Sequence, residues 1–563
     1  MSFINNCKLN KQQKEAVLIT EGPLLVIAGA GSGKTRVLTH RIAHMILDKG
    51  IPAYSILAIT FTNKAANEMR ERVMKMVGDE ALESWIMTFH SCCVRILRRE
   101  IESLGYGSNF TIFDDNDQQS LVAKLLKDIL PNGNIKPKSV IDFISGAKNK
   151  MLSPDEVRAS VYDQKGELFC DIYEKYESEL RRNNALDFDD LLNKTVELFE
   201  KFPDVLERYR ARFRYILVDE YQDTNFAQYR LVKLLGQNHR NVCVVGDDDQ
   251  SIYGWRGADY TNIFSFEKDF KETVTVMLEQ NYRSTKNILD CANSIISGNS
   301  GRKPKKLWTE TGRGEKIHVE MLYDEQTEAD FVYNEIMRLR DDGYRLSDFA
   351  VLYRTNAVGR TVQKTLARRG VPFEVYGDVS FYNRKEIKDA LAYMRILVNP
   401  SDEVSLLRII NEPKRGIGDA AISEISQKAR EHNETIIGYI LDEHIYNDLQ
   451  PKTQKKIAAF CDLLKELIMI SVTRPLTEIV RAVIDKTGLK AQYEESYLAT
   501  QNIEDSFRLE NLEALISDAA EYERSNAGGL ADYLESISLS SSTDGLTEQG
   551  NVKLMTLHSS KGL

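Results

Sequence analysis

Leu24-Leu25-Val26-Ile27-Ala28-Gly29-Ala30-Gly31-Ser32-Gly33-Lys34-Thr35 is the stretch whose reading decides the fold. Leu24 to Ile27 is an apolar run of the length of a short buried strand. It gives way to small residues, and Lys34 and Thr35 then head a segment in which Leu38, Ile42, Met45 and Ile46 recur at helical spacing. Strand, glycine turn and helix predict a phosphate cradle, with backbone N–H groups pointing inward and a helix N-terminus favouring negative charge. Lys34 is then expected to reach the β- and γ-phosphates and the Thr35 hydroxyl to hold Mg²⁺. Ala28, Gly29, Ala30, Gly31, Ser32 and Gly33 would wrap the nucleotide. The strict pattern begins with Gly, and Ala28 stands in that place. A plain glycine turn entering a helix is the competing reading, and the strand before it and helix after it favour the cradle.

The chain of 563 residues is long enough for roughly three or four domains. Its hydrophobic content of 42% and charged content of 28% describe a globular protein with ample core. The net charge of −10 argues against nonspecific coating of DNA and leaves room for a local basic groove. Seven cysteines without a CxxC pair read as reduced thiols, neither a disulfide framework nor a zinc or iron–sulfur site. The N-terminus has no apolar core of a signal peptide, and no apolar run approaches the roughly 18 residues of a membrane span. A cytoplasmic location and no membrane partner are expected.

On the N-terminal side, Gln13 carries an amide that both donates and accepts and so suits an adenine edge, unless its segment is an ordinary exposed helix. On the C-terminal side, Ile56 to Phe61 and Trp85 to Phe89 each read as a strand leading into a helix, which implies a parallel sheet. From about 108 to 187 the pattern is helical and charged, as in an insertion. There Lys136, Lys138, Lys148 and Lys150 face either phosphates or solvent. The sheet resumes at Tyr215 to Val218, ending in Asp219 and Glu220. A carboxylate pair at a buried strand end is costly without a cation or a reaction to serve. Asp219 suits Mg²⁺, and Glu220 suits the base that orients the attacking water. Val242 to Val245 ends in Gly246-Asp247-Asp248-Asp249-Gln250, where the Gln250 amide can sense a γ-phosphate. Tyr253, Trp255 and Arg256 then make a stacking platform for unpaired bases, although Trp255 alone would more often be core. Arg283 is placed to act as an arginine finger, and Tyr282 to stack on a base.

Together AGAGSGKT, ITFTNKAANEM, VDEYQDTN, VVGDDDQSIYGWRGAD, LEQNYRST, YRTNA and KLMTLHSSKGL resemble the UvrD/PcrA/Rep family of superfamily 1A DNA helicases, PcrA-type members above all. The motifs stand in family order over essentially the whole chain. The resemblance implies an ATP- and Mg²⁺-dependent hydrolase that moves 3′ to 5′ on single-stranded DNA and separates duplex at single-strand/double-strand junctions. It would serve DNA repair or replication, with repair, replication or transcription proteins as partners. Gln13 would read adenine and Tyr282 stack on it, with Lys34, Thr35, Asp219, Glu220, Gln250 and Arg283 in the phosphate and Mg²⁺ roles above. Phe61, His90, Tyr253, Trp255, Arg256, Arg354 and Asn356 match positions near the single strand.

The implied fold is α/β: two RecA-like P-loop domains, each with a helical insertion domain. Domain 1A would span 1–107 and 188–277, insertion 1B 108–187, domain 2A 278–380 and 549–563, and insertion 2B 381–548. Strands are expected at Ile317 to Leu322, Phe349 to Tyr353, Phe373 to Tyr376 and Val552 to His558. Asn411 to Gly418 reads as a hairpin approaching duplex phosphates or as a plain Pro/Gly turn, and Ser538 to Gly550 as a linker. Since the family continues past Lys561-Gly562-Leu563, the second motor domain is expected to be incomplete. Val552 to His558 is expected to lie at an exposed edge, and turnover by these residues to be impaired. The alternative function is a nucleotide-responsive DNA-binding fragment without turnover. An ABC-type ATPase would need an LSGGQ-like signature, which the sequence lacks, and any nuclease would follow Leu563.

Overall fold

The computed structural model describes residues 2–131, 133–376, 381–442, 447–525, 528–540 and 550–561. Contacts divide the chain into two compact units, one of residues 1–93, 195–378 and 541–563, the other of residues 94–194 and 379–540.

The first unit is built on a six-stranded sheet. Its strands are β1 (Leu24–Ala28), β2 (Ile56–Thr60), β3 (Trp85–Thr88), β6 (Tyr215–Val218), β7 (Val242–Gly246) and β8 (Val274–Leu278), in the order β3-β2-β6-β7-β1-β8. Every neighbouring pair is parallel. β1, β2 and β7 are buried along their whole length, which is why they read as unbroken apolar runs. Parallel pairing also gathers all the strands' carboxyl ends on one edge.

Three helices frame that edge: α1 (Lys11–Leu18), α2 (Lys34–Leu47) and α3 (Asn63–Val77). The Asn10 side chain accepts from the Gln13 backbone N–H and the Gln13 side chain from that of Asn10, so α1 starts in a capping box. Gly33, at φ 88°, turns the loop into α2 through a conformation that side chains rarely adopt. Thr62 caps α3 by accepting from the Ala65 N–H.

A second parallel sheet of the same unit joins β9 (Ala350–Tyr353), β10 (Phe373–Tyr376) and β11 (Val552–Thr556) in the order β10-β11-β9. The edge position expected for Val552 to His558 is corrected here: β11 is the middle strand, Val552 lying opposite Phe373 and Leu554 opposite Val351. Its apolar residues are therefore covered, Val552 and Leu554 being fully buried. The strand expected at Ile317 to Leu322 is absent. Its apolar alternation is real, but no described strand pairs with it, and Val319, Met321 and Tyr323 stand 85%, 97% and 96% exposed. Most of the linker expected over Ser538 to Gly550, and Gly562 and Leu563, lie outside the described residues.

The second unit is helical. Its two short strands, β4 (Thr111–Phe113) and β5 (Ala185–Asp187), pair in parallel, and its apolar cores gather around Tyr173 and Tyr176 and around Tyr393 and Val480. Lys148 faces neither phosphate nor solvent. It is buried, with its ammonium 2.6 Å from Glu177 and 2.8 Å from both Asp187 and Asp190. Burial works against the charged amine, but the three carboxylates outweigh it and hold its pKa well above the usual lysine range.

Removing this cation strands three carboxylates in a dry site. Lys148→Met is therefore expected to cost about 3–5 kcal/mol at neutral pH. The sign with pH follows from Asp190, which burial and then Asp187 push well above the carboxylate range, so that the folded state takes up protons. The deficit of the variant should shrink as the pH falls and the acids neutralise. Urea unfolding at two pH values measures both; a variant equally stable to the parent at neutral pH contradicts the assignment.

Candidate functional site

At two glycines of the loop after β1 an added side chain would crowd its neighbours. A Cβ on Gly29 would lie 2.1 Å from Leu307 Cδ2, and one on Gly31 (φ 67°) 2.5 Å from Asn281 Nδ2. Ala28, by contrast, is the last residue of β1, paired beside Leu278 and fully buried, so a methyl group fits where the strict pattern has Gly. Ser32 closes the turn by donating its hydroxyl to the Gly29 carbonyl at 2.7 Å.

Lys34 points from the first turn of α2 to the end of β6, where its ammonium lies 3.0 Å from the Glu220 carboxylate. Glu220 holds a left-handed backbone (φ 51°, ψ 40°), which costs a non-glycine residue about 1–3 kcal/mol. It is kept there by Lys34 and by Gln222, whose Nε2 donates to Glu220 Oε2 at 2.6 Å and to Asp223 Oδ2 at 3.1 Å. Gln222 is itself fully buried and accepts from the Asp247 N–H at 2.9 Å, tying the ends of β6 and β7 together. Burial, the largest influence on both acids, pushes them up. At Glu220 the Lys34 ammonium, the Gln222 amide and Lys561 together outweigh it and lower the carboxyl, whereas Asp219, beside the Glu220 charge, is pushed up to about 7. Burial opposes the charge on Lys34, and Glu220, Asp219 and Asp247 together raise it.

Asp219 and Thr35 offer hard oxygens of the kind Mg²⁺ prefers, at the buried strand end and the first turn of α2. The other acidic group, Asp247, Asp248 and Asp249, already surrounds a cation. The Lys305 ammonium lies 2.9 Å from Asp247 and 2.8 Å from Asp249 and also meets Asp248, while Arg302 pairs with Asp249 at 2.6 Å. Gln250 donates to Asp247 Oδ2 from the turn that follows.

Gln13 is 1% exposed, and its Nε2 donates to the Ser32 carbonyl at 2.9 Å, so it is no exposed-helix residue. Tyr282 is 49% exposed and its hydroxyl accepts from Asn10 at 2.8 Å. Between them sits a residue that the sequence reading missed. Asn281, buried, donates to the Ala30 carbonyl at 2.6 Å and accepts from the N–H groups of Arg283 and Ser284. It fastens the Tyr282-Arg283 segment onto the glycine loop and sets the exposed Arg283 beside Gly31.

Trp255 is 68% exposed, which overturns the core reading. Its ring meets His558 edge-on at 6.2 Å, Tyr253 donates to the His558 carbonyl at 3.2 Å, and Arg354 lies 3.4 Å from His558 Nδ1. His558, another residue missed, is thus where Tyr253, Trp255 and Arg354 converge. Asn356 opens the helix that follows Arg354 and is exposed; Phe61 packs edge-on against Phe89, and His90 lies in the first turn after β3. The Arg256 side chain lies outside the described residues. In the second unit, Asn411 accepts from the N–H groups of Arg415 and Ile417. The Arg415 guanidinium turns inward onto the carbonyls of Ile409, Glu412, Pro413 and Thr487. Lys414, Gly416 and Gly418 are left exposed on that turn.

The family profile of the UvrD/REP helicase N-terminal domain matches residues 9–271, and that of the UvrD-like helicase C-terminal domain residues 276–563. Among curated proteins, the ATP-dependent DNA helicase PcrA of Staphylococcus aureus is 47% identical over 99% of this chain and 76% of its own length. That of Staphylococcus epidermidis is 46% identical over the same shares.

Asn281 supplies a testable consequence of the geometry. Asn281→Ala leaves the Ala30 carbonyl and two N–H groups without their partner, and an unsatisfied buried polar group costs about 1–3 kcal/mol. A fall in stability of that size in denaturant unfolding is expected. An unchanged midpoint would show that the segment is not fastened there.

Proposed function

From the premise that the chain belongs to the UvrD/REP helicase family, we propose that it is an ATP-driven motor that moves 3′ to 5′ along single-stranded DNA and opens the duplex ahead, with the four-part division into 1A, 1B, 2A and 2B. The observation that carries this reading is the meeting of Lys34 and Glu220 at the carboxyl edge of the parallel sheet. When a nucleotide enters, Lys34 exchanges Glu220 for phosphate oxygens, and the freed carboxylate becomes the base for the attacking water. Thr35 and Asp219 hold Mg²⁺, which neutralises charge on the phosphoryl oxygens when bound. Arg283 and Gln250 address the γ-phosphate, Gln13 reads adenine, and Tyr282 stacks on it. The bases of the single strand stack on Trp255 and Tyr253. Phe61, His90, Arg256, Arg354 and Asn356 line the path of the same strand. The exposed turn at Lys414 to Gly418 meets duplex phosphates with the N–H groups that Asn411 does not occupy. Work in DNA repair or replication in the cytoplasm completes the proposal.

Steady-state ATPase with and without single-stranded DNA tests it. Hydrolysis should rise with DNA, and Glu220→Gln should keep ATP binding while hydrolysis falls by about 10²–10⁴, because only the base is lost. Binding of both ligands by the parent without turnover supports the fragment reading instead, and a Glu220→Gln variant of normal rate moves the base elsewhere.

The exposed face gives a separate measurement. Trp255→Ala should weaken single-strand binding by about 1–3 kcal/mol with little change in stability, since the ring is 68% exposed. Affinity should also fall as salt rises, through counterion release. Unchanged affinity in the variant, or a flat salt response, contradicts the DNA-binding face.

A further inference from the structure

Arg41 is the most deeply buried guanidinium of the first unit, 2% exposed on the inner face of α2. No carboxylate pairs with it among the described residues. Its Nη1 donates to the Ala16 carbonyl at 2.9 Å and its Nη2 to the Thr20 carbonyl at 3.3 Å, while its Nε is buried without a partner. Ala16 lies in the last turn of α1, where carbonyls have no acceptor role left within the helix. A cation there also complements the helix dipole. A leucine or methionine would fill the same space without burying charge. The fork does something that filling does not: it fixes the end of α1 against α2 at two points.

The other end of α1 is fixed by Gln13, whose Nε2 meets the Ser32 carbonyl and lies where a Cβ on Gly33 would come within 2.8 Å. Just past the end of α2, Asp48 holds the segment before α1, accepting from the Ser2 hydroxyl at 2.8 Å and the Phe3 N–H at 2.7 Å. The residues that address phosphate, Lys34 and Thr35, belong to α2 itself, whereas the residue that addresses the base belongs to α1. Their relative placement rests on what ties the two helices.

We infer that Arg41 is a positioning residue for base recognition, setting Gln13 over the phosphate loop so that adenine is distinguished from other bases; this rests on the adenine-reading role proposed for Gln13. Adenine presents a donor and an acceptor on its major-groove edge and guanine two acceptors, so a well-placed amide tells them apart. A slackened α1 blurs that distinction and leaves the phosphate contacts alone.

The test uses the full chain and three competitors of a fluorescent ATP analogue: ATP, GTP and inorganic tripolyphosphate. In Arg41→Lys and Arg41→Met, ATP affinity should drop about tenfold, the loss of roughly one charge-assisted hydrogen bond. Affinities for GTP and tripolyphosphate should stay within about twofold of the parent. Arg41→Lys keeps charge and volume and supplies the same readout should the methionine variant not fold. An equal loss for all three competitors makes Arg41 a core residue only and overturns the inference, as does an unchanged ATP affinity. Gln13→Ala separates the two claims. If it leaves the ATP-to-GTP ratio intact, the adenine reading falls and the inference with it. A ratio lost in Gln13→Ala but kept in both Arg41 variants overturns the positioning role alone.

Discussion

Six strands that all run the same way leave their carboxyl ends on one edge, and the chemistry of the first unit follows from that alignment. The glycine loop leaves the sheet after β1, Asp219 and Glu220 after β6, and Asp247 to Gln250 after β7, so groups separated by two hundred residues arrive side by side. The arrangement is electrostatically expensive, because the edge concentrates carboxylates in a poorly solvated place. The molecule answers with three lysines, Lys34 on Glu220, Lys305 among the three aspartates after β7, and Lys561 on Asp223. Only Lys34 follows the glycine loop directly, in the first turn of α2.

Strain at Glu220 belongs to the same logic. A left-handed glutamate persists because Lys34, Gln222 and the Asp219 carboxylate over-determine its position. Gln222 in turn holds the backbone of Asp247, so the ends of neighbouring strands are tied together.

Much of this was legible in the sequence because it is local. The strand, turn and helix around Lys34 are contiguous, and the acidic strand ends announce themselves by costly residues where apolar ones would be expected. The residues that escaped are those whose partners are distant. Asn281 meets Ala30 across 251 positions and Tyr253 meets His558 across 305, and no periodicity records such pairs. Lys148 was misplaced for the same reason: its three carboxylates lie about 30 to 40 positions further along, on two helices and on β5. Ile317 to Leu322 shows the opposite failure, a correct alternation that finds no strand to pair with. β11 was misjudged because its order in the chain says nothing of its order in the sheet.

The exposure of Trp255 has an optical consequence. The chain has three tryptophans, of which Trp85 is sealed in the first unit at 1% exposure. Trp308, 47% exposed, hydrogen-bonds through its backbone to Glu279 and Asn281 beside the phosphate loop, and Trp255, 68% exposed, stands over His558. The intrinsic fluorescence of the chain is thus divided between one indole shielded from solvent and two exposed ones, beside the glycine loop and beside His558. Replacing either exposed indole with phenylalanine leaves the other as a label-free reporter of its own surroundings, so two single-replacement proteins follow the glycine loop and the His558 surface separately.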